Sequence, residues 1–127
     1  MVEHSPVVLC VEDDLDTQEM LRVLLCERGY NSEVAGTRAD ALRMIQEKEI
    51  ALVLLDNMLP DGNGVELCRQ VREFNKRLPI VFVSGSANDD ERLEALGSGA
   101  NAFLTKPLAL DKLFAMLNDY APIQCRG

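Results

Sequence analysis

No apolar run in this chain approaches the roughly 20 residues needed to cross a bilayer. The first residues, Met1 to Pro6, lack a basic region followed by an apolar stretch. The expectation is a chain with no membrane span and no export signal. Its four cysteines, Cys10, Cys26, Cys68 and Cys125, make neither a CxxC pair nor a zinc-binding pattern. They read as reduced thiols in a cytoplasmic protein; Cys10 and Cys68, set in apolar stretches, read as small core residues. Positive charge is scarce as well: 13 Lys and Arg against 21 Asp and Glu leave a net charge of −8. Nucleic-acid binding relies on clustered cations to meet phosphates, and anionic membrane surfaces attract the same groups. Direct contact with nucleic acid or membrane is therefore not expected. Internal repeats, low-complexity tracts and linkers are missing before residue 120.

What is present suits one domain. The 127 residues, 47% of them hydrophobic, can bury one core but not two. The domain is placed over 5–120, with 121–127 as a C-terminal tail or the start of a linker. Val7–Val11, Ala51–Leu55 and Ile80–Val83 are short, rich in β-branched residues and almost wholly apolar, as buried parallel strands are. Ser32–Ala35 and Ala102–Thr105 are weaker strands, the first at an edge. Helical patterns lie between them. Leu21, Leu24 and Leu25 stripe a helix over about 15–28 that Gly29 ends. Thr37 caps a second, carrying Leu42 and Ile45. Leu67, Cys68, Val71 and Phe74 mark a third. Asp89, Asp90 and Glu91 open a fourth, where negative charge suits the helix dipole; it carries Leu93 and Leu96 and stops at Gly97. Leu110, Leu113, Phe114 and Leu117 stripe a fifth. The prediction is an α/β fold: a flavodoxin-like three-layer αβα arrangement, with a five-stranded parallel sheet in order 2-1-3-4-5 and five helices.

Function in such sheets collects at the carboxyl ends of the strands. Strand 1 ends in Glu12-Asp13-Asp14, strand 3 in Asp56, strand 4 in Ser84-Gly85 and strand 5 in Thr105-Lys106-Pro107. Side by side, these ends bring three carboxylates, Glu12, Asp13 and Asp56, to one pocket with Lys106 as its cation. Close carboxylates repel, and an all-oxygen acidic site is what Mg²⁺ prefers, Mn²⁺ being the alternative. In that setting Asp56 would act as nucleophile toward a phosphoryl group, with Lys106 meeting its charge and Ser84 offering a hydroxyl. Each residue alone has a plainer reading. An acidic pair after a strand can cap a helix, Ser84 can form a turn, Lys106 can be solvated, and Phe103 can be core. Only the combination, in order on the right strand ends, points to chemistry.

These residues resemble a receiver domain of the two-component response regulators. The matching positions are Glu12-Asp13, the segment Asp56-Asn-Met-Leu-Pro60-Asp-Gly-Asn-Gly64, Ser84-Gly85, and Phe103-Leu-Thr-Lys106-Pro107. The resemblance implies that Asp56 is the phosphoacceptor and catalytic residue and Asp13 a direct metal ligand. It implies that Glu12 binds the metal mainly through water, and that the Met58 carbonyl is a third protein ligand. Lys106 would pair with Asp56 and then with the phosphoryl group. Ser84 would be the switch hydroxyl and Phe103 the switch aromatic. Pro60 and Gly64 would shape the loop, Gly85 would supply the small residue beside the site, and Lys106–Pro107 would be a cis bond, plausible only before proline. Asp14 reads as a helix cap rather than a ligand. In receivers the residues two after the acceptor and two after the switch hydroxyl flank the approach of water; here they are Met58 and Ser86.

The implied role is a phosphoacceptor in a phosphorelay. It takes phosphate from a sensor histidine kinase or phosphotransfer protein and controls an output domain, a target protein or a second copy through helix 4, strand 5 and helix 5. Beyond its own phosphorylation and dephosphorylation it would not be an enzyme. Three rivals fit less well. A haloacid-dehalogenase-like phosphatase needs an acid two residues after the nucleophile, where Met58 stands. A degenerate receiver that only binds partners would lack an acceptor, lysine or acid. A flavodoxin needs a phosphate-cradling loop after strand 1, which here is acidic. Ending soon after the fifth helix, the chain reads as a stand-alone receiver or a fragment of a larger regulator or hybrid kinase.

Overall fold

The computed structural model describes residues 5–85 and 88–123. Strands and helices alternate: β1 (Val7–Val11), α1 (Leu15–Glu27), β2 (Asn31–Ala35), α2 (Arg38–Glu47), β3 (Leu52–Asp56), α3 (Gly64–Phe74), β4 (Ile80–Ser84), α4 (Asp89–Gly97), β5 (Ala102–Thr105) and α5 (Leu110–Tyr120). The strands pair in parallel in the order β2-β1-β3-β4-β5. This is the predicted 2-1-3-4-5 sheet. A two-residue hairpin, Met58–Leu59 against Gly62–Asn63, sits apart from it in the loop after β3.

The near-continuous apolar runs are explained by the two faces of the sheet. Leu9, Val11, Val53, Leu55, Ile80 and Phe82 face α2, α3 and α4. Their neighbours Val8, Cys10, Leu52, Leu54, Val81 and Val83 face α1 and α5. With alternate side chains pointing to opposite faces and both faces covered, every position must be apolar. β2, on the edge, buries only Ala35 fully and reads accordingly as more polar.

The helix ends follow the sequence signals. Asp14 caps α1 by accepting from the Thr17 amide at 2.9 Å, and Thr37 caps α2 by accepting from the Asp40 amide at 3.1 Å. Gly29 follows α1 with φ +89°, a conformation that favours glycine. The stripe expected on the fourth helix is corrected. Leu93 and Leu96 are 66% and 40% exposed, and α4 buries Ala95 instead. A short helix docked through one small side chain leaves its leucines outside. Phe74 and Leu110, at helix ends, are likewise partly exposed, at 47% and 43%. Cys10 and Cys68 are buried as expected, and Cys26 is exposed. Cys125 and Ser86 lie outside the described residues. None of the described helices is long and apolar enough to cross a membrane.

Candidate functional site

β1, β3, β4 and β5 end at one edge of the sheet, and their last residues meet there. Register aligns Asp56 with Val83, and Ser84 with Thr105. The Lys106 amide continues that pairing by donating to the Ser84 carbonyl at 2.7 Å. Glu12 is held at the end of β1 by its own amide, which donates to the Ala35 carbonyl at 2.9 Å. The Gln18 side chain donates to the Glu12 carbonyl at 2.6 Å.

Three carboxylates converge. Each of Glu12, Asp13 and Asp56 offers an oxygen within 4.8 Å of the other two. Glu12 is buried, Asp56 half-buried and Asp13 exposed, so the cluster opens to solvent on the Asp13 side. Lys106 Nζ lies 3.0 Å from Glu12 Oε1 and 3.8 Å from Asp56 Oδ2. Its hydrogen bond therefore goes to Glu12, and its attraction to Asp56 is an ion pair at longer range. The Lys106–Pro107 bond is cis.

Burial pushes the Asp56 carboxyl above its ordinary value. The Met58 amide, donating to Oδ1 at 3.2 Å, opposes this, the Glu12 charge adds to it, and the Lys106 charge opposes it. Burial pulls the Lys106 ammonium down, but the Glu12 hydrogen bond and the charges of Asp56 and Glu12 outweigh it, so the net shift is upward. Asp14 turns away into its capping role. Its hydrogen bonds from the Thr17 hydroxyl and amide hold its carboxyl below the usual range. Next to the site, burial and then the Glu12 charge push the Cys10 thiol up to about 12, which leaves it inert.

The loop after Asp56 is tied down on both sides. The Gly64 amide donates to the Asn57 carbonyl at 2.9 Å. A Cβ on Gly64 would lie 2.9 Å from Phe82 Cε2 and 3.0 Å from the Asp56 carbonyl oxygen, so only glycine fits. Asp61 accepts from the Arg38 and Ala39 amides at 2.6 and 3.0 Å, clipping the loop to the first turn of α2. Met58 is 79% exposed.

Ser84, buried at the end of β4, donates its hydroxyl to Glu91 Oε1 on α4. Asn57 Nδ2 reaches the same oxygen at 3.5 Å. Phe103 is half-buried and stacks on Phe82 at 6.3 Å between centroids, with Arg92 5.6 Å over its ring. Sequence reasoning missed Glu91, Asn57 and Asp61 as parts of this site. Glu91 reads in sequence as a helix-start acid, and nothing but the entry angle of α4 brings it to Ser84.

Residues 8–118 match the response regulator receiver domain. The chain belongs to that family. Response regulator MprA of Mycobacterium leprae is 36% identical over 110 residues, which are 87% of this chain and 48% of that protein. This receiver thus spans about half the length of the curated relatives it matches. A two-component response regulator from Clostridium difficile is similar in structure, with a TM-score of 0.87 and 30% identity, covering 91% of this chain and 95% of that one. So is the receiver domain of Ssk1 from Saccharomyces cerevisiae, solved with the histidine phosphotransfer protein Ypd1. Its TM-score is 0.85 and its identity 27%, over 91% of this chain and 88% of that one. The receiver described here is therefore a response regulator receiver of two-component signalling.

Proposed function

We propose that Asp56 accepts a phosphoryl group from the phosphohistidine of a sensor kinase or phosphotransfer protein. The carrying observation is the pocket itself: three carboxylates sharing one space with Lys106 beside them. A carboxylate oxygen of Asp56 bonds to phosphorus as the P–N bond breaks. The electron pair of that bond leaves on the imidazole nitrogen, and the ring, protonated at its other nitrogen before transfer, departs as neutral imidazole. Hydrolysis reverses the loading: water adds to phosphorus and the Asp56 carboxylate departs.

The oxygen donors fit Mg²⁺ or Mn²⁺: Asp13, Asp56 and the Met58 carbonyl would hold the ion, and Glu12 would reach it mainly through water while keeping its contacts from Lys106 and the Asp14 amide. When bound, the cation neutralises charge on the transferring phosphoryl oxygens. Lys106 supports the same charge from the β5 side. Ser84 and Phe103 are the switch pair, the hydroxyl drawn to the phosphoryl group and the ring following inward. The domain is proposed to span 5–120 and to act in the cytoplasm. It would signal to an output domain, a target protein or a second copy through α4, β5 and α5.

The test is direct. Acetyl phosphate with Mg²⁺ should add one phosphoryl group, about 80 Da by intact mass, and EDTA or Asp56→Asn should abolish it. Addition to the Asp56→Asn protein would mean another acceptor and would refute the mechanism.

A further inference from the structure

Adjacent residues of one helical turn touch both members of the switch pair. Glu91 accepts the hydrogen bond of Ser84, and Arg92 lies 5.6 Å over the ring of Phe103. Glu91 also draws in Asn57, the residue directly after Asp56, at a long 3.5 Å. The turn is held from outside the site: Asn88 caps α4, accepting from the Asp90 and Glu91 amides at 2.7 and 3.4 Å.

The chemistry of this contact opposes phosphorylation. A serine hydroxyl has one proton to donate. Donated to Glu91, it is not available to a phosphoryl oxygen, and hydrogen bonds to a carboxylate are the stronger kind. A phosphoryl group on Asp56 would also place negative charge near a carboxylate that is already linked to Asn57. We propose that Glu91 is a positioning residue of the switch. It restrains Ser84 in the unphosphorylated state, and its release carries Arg92 off Phe103 because the two share a turn. This rests on the phosphoacceptor reading above and goes beyond it. It assigns to the first turn of α4 the energetic bias between two states that phosphorylation must overcome.

The experiment is a double-mutant cycle between Glu91 and Ser84, read as affinity for beryllofluoride with saturating Mg²⁺ on the full chain. Glu91→Gln keeps a neutral acceptor but removes the charge, and should tighten binding about fivefold, the difference between a charge-assisted and a neutral hydrogen bond. It should also move the Phe103 ring resonances of the unliganded protein toward their beryllofluoride-bound positions. In the Ser84→Ala background the same substitution should change affinity less than about twofold. Asp90→Asn removes an equal charge from the same turn without touching Ser84 and should leave affinity unchanged. Glu91→Asp, which keeps the charge but shortens the reach, should behave like Glu91→Gln.

Equal tightening in the Ser84→Ala background, or in Asp90→Asn, would reduce the effect to bulk charge and overturn the proposal. So would unchanged affinity in Glu91→Gln. Wild-type protein that fails to take up beryllofluoride would instead bring down the phosphoacceptor reading, and this inference with it.

Discussion

Lys106 gives its hydrogen bond to Glu12, 3.0 Å away. Glu12 is buried, so its carboxylate depends on that ammonium for compensation. Lys106→Ala would strand the charge. The expected loss of stability is about 1–2 kcal/mol at neutral pH, below the ~3–5 kcal/mol of a fully buried pair because part of Lys106 stays in water. Chemical denaturation in EDTA measures it. A loss of under about 0.3 kcal/mol would show that Glu12 finds other compensation.

The shift of Asp56 predicts a pH signature. Its folded-state pKa is raised, so folding favours the protonated form. That contribution to stability is complete below the ordinary carboxylate value, about 3.9, and is lost as pH rises through the folded value. At pH 7 without metal, the ionised carboxylate therefore costs stability. Asp56→Asn should melt a few degrees higher than wild type in EDTA, on the order of 2–6 °C, with the gap closing toward pH 4. Added Mg²⁺ should raise the Tm of wild type more than that of the variant. A gap that widens toward acid would reverse the sign of the argument.

Gly64 is held for space, not for its backbone angle. Its missing Cβ would meet Phe82, the Asp56 carbonyl and Leu55, all at 2.9–3.1 Å. Gly64→Ala should cost about 1–3 kcal/mol through overpacking. It should also slow phosphorylation by acetyl phosphate, because the strain falls on the Asp56 backbone. Normal stability together with a normal rate would show that the loop gives way freely.

Met58 bears on phosphoryl lifetime. Its thioether is only a weak acceptor and orients a water poorly, and it stands two residues after the acceptor. Slow self-dephosphorylation is expected. Met58→Asn with Ser86→Glu should lose phosphate faster, measured after donor removal in excess Mg²⁺. A decay rate at or below wild type would leave Met58 without this role and the receiver assignment intact.

Much of this molecule was legible in the order of its residues. Apolar runs at Val7–Val11 and Ile80–Val83 announce strands buried on both faces, since period-two alternation vanishes when both sides are covered. Asp14, Thr37 and Gly29 mark helix ends because capping is a local matter of backbone groups within a few residues. Glu12, Asp13, Asp56, Ser84 and Lys106 were legible as residues of converging strand ends because the carboxyl ends of a parallel sheet lie on one side of it. What the tertiary structure alone decided is which of them touch. Lys106 bonding Glu12 rather than Asp56 depends on reach across 94 residues of separation. Glu91 on Ser84, Asp61 on α2, and Ala95 rather than Leu93 under α4 depend on the angle at which each helix leaves the sheet. That angle is set by packing against distant side chains, and no local pattern in the sequence encodes it.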